Sequence, residues 1–197
     1  MADEAAQASA FVKRKIDRLC ETKNESEVRA TLAKLRRGIG KPPGSMPEIW
    51  DVTLNGLSET LVDKNSGATH GEWAVHTALT LFALHQQGKD RKKQCMSRDG
   101  ESIGVSVRNL IQNEDDEQRI RRRFNTAATS NSLEELSHHL RGLIQLLKDK
   151  DIPLDYPSLT RDLYWFQVPG VRDSIRLRWG QDFYRIRVDE EKHYDRL

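Results

Sequence analysis

Clusters of arginine and lysine are the residues of this sequence whose type and spacing best suit a chemical role. An arginine guanidinium matches the oxygens of a phosphate with two parallel donors, and a lysine in a mobile loop adds a less directional attractive charge. Such clusters predict contacts with a sugar–phosphate backbone that position a nucleic acid without reading its bases. The first three clusters are Lys34, Arg36, Arg37 and Lys41; Arg91, Lys92 and Lys93; and Arg119, Arg121, Arg122 and Arg123.

A solvated helix face is the alternative interpretation of each cluster, because basic residues also suit the C-terminal end of a helix. The net charge is only +2, from 32 basic and 30 acidic residues, so nucleic-acid binding would depend on local clustering. We therefore expect arginines from separate helices to converge in space into one continuous electropositive track. A further basic group lies near the C-terminus and contains Arg172, Arg176, Arg178, Arg185 and Arg187.

The histidines and carboxylates give little support for catalysis. The sequence has no HExxH, no adjacent His–Asp pair and none of the common nucleophile or phosphate-loop motifs. His138 and His139 are predicted to face different sides of a helix, and His76 to be a hydrogen-bonded core residue. The acidic run Glu114–Glu117 is predicted to stabilise a helix start. We expect no catalytic residue, no metal site and no cofactor. A helical metal-dependent hydrolase of nucleotides and a plain helical adaptor stay open as alternatives.

The apolar and sulfur-containing residues favour a cytoplasmic protein without a membrane segment. No run of about 18 apolar residues occurs, and the acidic start of the chain is unlike a signal peptide. Cys20 and Cys95 are predicted to be two unpaired thiols in a reducing compartment. The four tryptophans occupy apolar helical positions, which predicts core packing rather than base stacking. They are Trp50, Trp73, Trp165 and Trp179.

Helix signals recur along the whole chain. Four capping-box spacings mark predicted helix starts. Residues 69–87 leave little polar face, which predicts a central buried helix closed by Gly88. The longest break, Gly88–Ser102, is strongly basic and suggests a boundary. The prediction is an all-α fold of two small helical bundles packed together, residues 1–95 and 96–197, with about eight or nine helices. The four capping pairs are Asn24/Glu27, Ser45/Glu48, Thr69/Glu72 and Ser132/Glu135.

Six segments occur in an order that resembles a known family, the small subunit of the type I-E CRISPR surveillance complex Cascade, often called CasB. The resemblance extends from about Phe11 to Tyr184. The segments read ATLAKLRRGIGKPPGSMPEIW, EWAVHTALTLFALH, SIGVSVRNL, RRRF, LEELSHHLRGLIQLLKDKDIPLDYPSLTRDLYWF and RLRWGQDFY.

The resemblance implies an all-α, non-catalytic protein of two helical bundles. Two copies would lie side by side in the complex with the other Cascade subunits. They would contact the backbone of the CRISPR RNA–target DNA hybrid and help to hold the displaced non-target strand. Target sequence would be read by pairing with the guide, and cleavage would belong to a separately recruited nuclease-helicase.

Individual residues can be carried over from the family motifs. Arg36 and Arg37 match the LRR pair, and Arg123 matches the arginine before the phenylalanine. Arg141 matches the LR motif, where it would either bind nucleic acid or brace the two lobes. The family commonly has a basic residue after the glycine of the SIG segment. Val105 stands there in this chain, and Arg108, one turn later, is the candidate substitute.

Overall fold

The structure, a computed structural model, describes residues 1–63 and 67–185 and consists of nine α-helices over these ranges. This confirms the predicted all-α fold class and the predicted number of helices. No β-strand occurs in the described part of the chain, where an isolated parallel bridge joins Ser97 to Leu154. The helices are α1 (Ala2–Glu21), α2 (Glu25–Arg37), α3 (Trp50–Thr53), α4 (His70–His85), α5 (Ile103–Arg108), α6 (Glu114–Ala128), α7 (Leu133–Asp149), α8 (Tyr156–Phe166) and α9 (Arg172–Tyr184).

Helix α4 is the centre of the core. Every residue from Ala74 to His85 is buried, and α1, α2, α7 and α8 all pack against it. Thr69 accepts a hydrogen bond from the Glu72 amide while the Glu72 carboxylate accepts one from the Thr69 amide, so the predicted capping box is present. His76 is buried and its Nε2 lies 3.1 Å from Gly38 O, as predicted for a core histidine.

Two of the other three predicted helix starts are also present. The side chain of Asn24 accepts from the Glu27 amide at 3.2 Å, and Ser132 accepts from the Glu135 amide at 3.1 Å. The prediction at Ser45 is wrong, because its hydroxyl donates to Pro42 O and the chain enters only a 3₁₀ turn, Pro47–Ile49, before the four-residue α3. Pro47 lies in the first turn of this 3₁₀ segment.

The boundary near residue 95 between two helical bundles remains a prediction. Helices from the two halves of the chain pack against each other across it. Helix α8 comes from the second half of the chain but packs chiefly against α1 and α4 of the first half. Helices α6 and α7 pack together, as do α5 and α9. One hydrophobic cluster includes residues of both halves, from Ala5 to Phe183.

The tryptophans were predicted to lie in the core, and the outcome differs among them. Trp179 is 1% exposed, and Trp73 and Trp165 are partly buried against the core. Trp50 is 43% exposed, so the prediction is wrong for this residue. Its indole nitrogen donates to Gly44 O at 3.2 Å, which holds the ring beside the preceding loop rather than under a helix.

Candidate nucleic-acid interface

The helical period places the four arginines of α6 on different faces of the helix. Ile120, Phe124 and Ala127 are buried, and they fix which face of the helix points inward. Arg119, Arg122 and Arg123 lie along one groove beside the buried stripe. Arg121 lies one turn after Glu117, with its guanidinium 3.8 Å from that carboxylate, and it does not line the groove. The RRR run of the sequence therefore serves two different surfaces.

The opposite wall of this groove comes from α7. We call it the α6–α7 groove, and its volume is about 660 Å³. His138 and His139 were predicted to face different sides of their helix, but both line the groove, with ring centroids 5.3 Å apart in an edge-to-face arrangement. The full lining is Asp115, Gln118, Arg119, Arg122, Arg123, Thr126, His138, His139, Gly142 and Leu143.

The arginines of the α6–α7 groove differ in how far they are already neutralised. Arg119 donates to Asp116 at 2.5 Å, so part of its charge is satisfied within α6. The side chains of Arg122 and Arg123 are exposed and have no hydrogen bond or ion pair with any described residue. Asp115 is the acidic residue of the groove lining. The groove thus presents two guanidinium groups whose donors are available to an anion.

A second basic recess, of about 500 Å³, lies between α2 and the turn that follows α4. We call it the α2–α4 cleft. Arg36 reaches it and donates to Ala83 O at 3.4 Å. Burial lowers the pKa of Arg36. The ordinary pKa of arginine is so high that the group still carries its charge at neutral pH. The cleft is lined by Glu25, Val28, Arg29, Leu32, Arg36, Gln86, Gln87, Gly88, Lys89, Asp90 and Arg91.

Arg91 is the most fixed cation of the α2–α4 cleft. Its Nη1 donates to Leu19 O at 3.2 Å and to Cys20 O at 2.7 Å, at the end of α1. Its Nη2 is buried without a hydrogen-bond partner among the described residues. A buried guanidinium donor without a partner is costly, so this nitrogen is suited to donate a hydrogen bond to a ligand oxygen in the cleft.

Sequence reasoning missed two cations of the α2–α4 cleft, Arg29 and Lys89. Arg29 lies two turns before Arg36 on α2, and this seven-residue spacing was the available signal. It pairs with Glu25 at 3.2 Å. Lys89 pairs with Asp151 from the loop after α7, a contact 62 residues away in sequence that no local pattern could indicate.

The remaining predicted site residues line neither recess. Arg37 pairs with Glu48 at 3.0 Å, and Lys93 lies 4.0 Å from Asp90. Arg108 is exposed at the end of α5, three residues after the half-buried Val105. The others of this set, also exposed, are Lys34, Lys41 and Lys92.

Arg141 was expected either to bind nucleic acid or to brace the two lobes. Its side chain is exposed on α7, one turn from His138, and makes no hydrogen bond or ion pair with any described residue. It does not brace the lobes through such a contact. Its guanidinium lies on the same helix as the α7 wall of the groove and is available to solvent.

The basic group near the C-terminus is largely used inside the protein. Arg176 donates to Ala128 O at 2.7 Å and to Ser130 O at 2.8 Å, so it caps the end of α6. Arg178 pairs with the buried Asp162, which also accepts from Trp179 Nε1 at 2.6 Å. Arg172 stacks over the Phe166 ring at 4.7 Å. Arg185 is exposed, and Arg187 lies outside the described residues.

Five of the predicted site residues therefore line two recesses that share no lining residue: Arg119, Arg122 and Arg123 line one, and Arg36 and Arg91 line the other. A single continuous electropositive track that joins the two recesses stays a prediction. Within the described ranges, no three His, Cys, Asp or Glu side chains are grouped as a metal site. None of the described helices is long and apolar enough to cross a membrane.

Comparison with known proteins gives a family match and several structural relatives. Residues 31–184 match the sequence model of the family described as CRISPR-associated protein Cse2. No relative was found among curated protein sequences. The fold is similar to the crystal structure of CasB from Thermobifida fusca, with a TM-score of 0.75 and 30% identity, over 91% of this chain and 98% of that one.

Two further solved structures share the fold at lower identity. CasB from M. ruber has a TM-score of 0.66 and 21% identity, over 92% of this chain and 97% of the other. A chain of a CRISPR RNA-guided surveillance complex has a TM-score of 0.62 and 22% identity, over 91% of this chain and 95% of its own length.

Proposed function

This chain belongs to the CRISPR-associated Cse2 family, and we propose that it is a non-catalytic, nucleic-acid-binding subunit of a CRISPR RNA-guided surveillance complex of the Cascade type. In this role it contacts the sugar–phosphate backbone of CRISPR RNA and target DNA and stabilises the displaced non-target strand. It acts in the cytoplasm in antiviral defence, without a cofactor and without a membrane. Its protein partners are the other Cascade subunits and a second copy of itself.

The observation that carries the proposal is the state of Arg122 and Arg123. Both guanidinium groups face the α6–α7 groove, and neither is neutralised by a described acid. Natural surfaces commonly pair arginines with nearby carboxylates, as Arg121 and Arg37 do here. Two neighbouring unpaired guanidiniums in a recess of this size favour an anionic ligand that supplies the missing acceptors.

The chemistry of the groove favours backbone contact over base readout. Apart from the Asp115 carboxylate, its polar side-chain groups are guanidinium, imidazole, hydroxyl and amide groups, and none of its lining residues is Trp, Tyr or Phe. Bases of single strands are commonly held by stacking on exposed aromatic rings, and Phe124 of α6 is instead buried against Phe183. Phosphate contacts of this kind position a strand and carry no sequence information, which suits a complex whose guide RNA reads the target.

The α2–α4 cleft supplies a second contact in this proposal. It is joined to the far end of α7 through the ion pair of Lys89 with Asp151, whereas the α6–α7 groove uses the half of α7 that contains His138. At 1.5 Å per residue, the part of α7 from His138 to its last residue, Asp149, is about 17 Å long. That length matches roughly five phosphates along one strand of a duplex. One strand, or two strands of one complex, can therefore meet both recesses.

A salt titration of the purified full-length chain tests this function. Binding of fluorescein-labelled single-stranded DNA and RNA of several unrelated sequences is followed by anisotropy at increasing NaCl. We expect similar affinity for all sequences, and an affinity that falls with a log–log slope of about −2 for three phosphate contacts. An affinity that does not change with salt concentration, or that depends on base sequence, contradicts the proposal. No binding at low salt favours the helical adaptor instead.

A further inference from the structure

Cys20 and Cys95 bring two thiols into contact across the molecule. Cys20 is the penultimate residue of α1, and Cys95 lies in the basic segment that follows α4. They are 75 residues apart in sequence, yet their Sγ atoms are 2.8 Å apart. Both are free thiols, and both residues are partly exposed to solvent.

The backbone on both sides of this pair is held by other bonds. Gln86, at the end of α4, donates through Nε2 to Gln94 O at 3.0 Å and accepts from the Met96 amide at 2.9 Å. On the α1 side, Arg91 donates to the carbonyl of Cys20 itself at 2.7 Å. The two sulfurs are therefore positioned by non-covalent contacts before any bond joins them, which favours reaction between them over reaction with other thiols.

The shared proton makes one thiolate easy to form. A hydrogen bond from the Cys20 thiol lowers the pKa of Cys95 to about 7, helped by the Ser97 amide and by Lys13 and opposed by burial and Asp17. The same hydrogen bond, together with burial, raises the pKa of Cys20. The hydrogen bond between the two sulfurs thus favours loss of one proton from the pair, and the thiolate is the species that attacks a disulfide.

We propose that Cys20 and Cys95 are a redox-sensitive modification site that forms an intramolecular disulfide with a small disulfide oxidant such as oxidised glutathione. The Cys95 thiolate attacks one glutathione sulfur and releases glutathione thiolate. Cys20 then loses its proton to solvent and attacks Cys95 Sγ, which releases the second glutathione. The two protein thiols lose two electrons and two protons, and oxidised glutathione gains both.

The bond would fasten the end of α1 to the segment that carries Arg91. It closes a loop of 75 residues, and a cross-link of that length restricts the unfolded chain strongly. For a protein of this size, we expect the unfolding temperature to rise by about 10 °C. This site does not depend on the proposed nucleic-acid role, because the reaction needs no nucleic acid. Arg91, which helps to hold Cys20, also lines the α2–α4 cleft.

The test is the intact mass of the full-length chain after incubation with oxidised glutathione and quenching of remaining thiols with an alkylating reagent. We expect a monomer lighter by two hydrogens, with no alkyl group, no glutathione adduct and a peptide that links Cys20 to Cys95. Dithiothreitol should reverse the change and the rise in unfolding temperature. In urea, where the contact is lost, the same oxidant should give glutathione adducts instead.

Two matched variants complete the test. Cys20→Ser and Cys95→Ser each keep one sulfur, and we expect each to take one glutathione or one alkyl group with no rise in unfolding temperature. A native chain that carries two glutathiones, keeps both thiols free, or forms disulfides only between molecules would overturn the proposal.

Discussion

The guanidinium of Arg123 on α6 lies beside Gly142 on α7, where a Cβ atom at position 142 would lie 4.0 Å from Arg123 Nη1. Among the residues that the structure describes, no other atom from elsewhere in the fold lies within 4 Å of that position. The missing side chain at Gly142 therefore leaves the arginine open to the α6–α7 groove. An acidic residue at this position would stand directly beside it.

Gly142→Asp should weaken nucleic-acid binding. The new carboxylate would pair with Arg123 and repel an approaching phosphate, so we expect affinity to fall about fivefold, corresponding to roughly 1 kcal/mol. The salt slope should also become shallower, since one arginine no longer releases a counterion. Anisotropy titrations at two or more salt concentrations measure both quantities.

Gly142→Asn is the matched control for this change. Asparagine and aspartate have similar size and similar helix propensity, so both variants should change stability alike. Only the charged variant should lose affinity by the amount given above. Equal losses for the two variants would mean that bulk, rather than charge beside Arg123, matters at this position.

Gly104 should be among the most sensitive positions for stability. It is the second residue of α5, and a Cβ atom there would collide with Trp179 O and lie 2.9 Å from the Phe183 amide nitrogen of α9. Gly104→Ala must therefore move α5 away from α9. We expect a loss of about 2–3 kcal/mol in the free energy of unfolding, measured by urea denaturation.

Gly180, on α9, is the control for Gly104. No described residue outside its own helix lies within 4 Å of a Cβ atom at that position, so Gly180→Ala should leave stability unchanged or raise it by up to about 1 kcal/mol. If the two alanine variants have the same free energy of unfolding, α5 does not pack as closely on α9 as described.

His85 should make the protein less stable in acid. It is completely buried, with Nδ1 3.1 Å from the Tyr156 hydroxyl, and burial, aided by Lys89 and Lys148, lowers its pKa from 6.5 to about 4. The unfolded chain therefore binds the proton more readily. The contribution of neutral His85 to the free energy of unfolding is fully present above pH 6.5, and it is lost as the pH falls from 6.5 through about 4. The total is on the order of 3 kcal/mol.

Urea denaturation at several pH values measures this effect. His85→Gln should start less stable at pH 7 but lose roughly 2–3 kcal/mol less than the native chain between pH 7 and pH 4. His138→Gln, at an exposed position, should keep the full pH dependence. A His85→Gln curve parallel to that of the native chain would show that this histidine does not titrate as described.

Local patterns predicted much of the fold correctly. Helix α4 lacks a polar face in the sequence, and this predicted its central position, because only a helix surrounded by others can bury every side. Three capping pairs marked true helix starts, since the donor and acceptor lie within four residues of each other. Ser45 failed because the hydroxyl found an acceptor in its own loop, Pro42 O, before any helix could use it.

The site was harder to predict, because charge clusters do not reveal their partners across the fold. Arg176 and Arg178 looked similar to Arg122 and Arg123 in the sequence. The first two bind a helix end and a buried aspartate, whereas the last two face an open groove. The sequence places Arg121 in one cluster with its neighbours, because the face of α6 that lines the groove is set by the packing of α7 beside it.

The central claim is that Arg122 and Arg123 bind phosphates, whereas Arg121, in the same RRR run, does not. The most direct measurement compares the salt slope of single-stranded DNA binding for Arg122→Gln/Arg123→Gln and for Arg121→Gln. We predict that the double variant loses about 1.4 units of slope, or 0.7 for each contact, and that Arg121→Gln retains nearly the native slope and affinity. A double variant with the native slope, or an Arg121→Gln variant that loses as much per residue, would contradict the account.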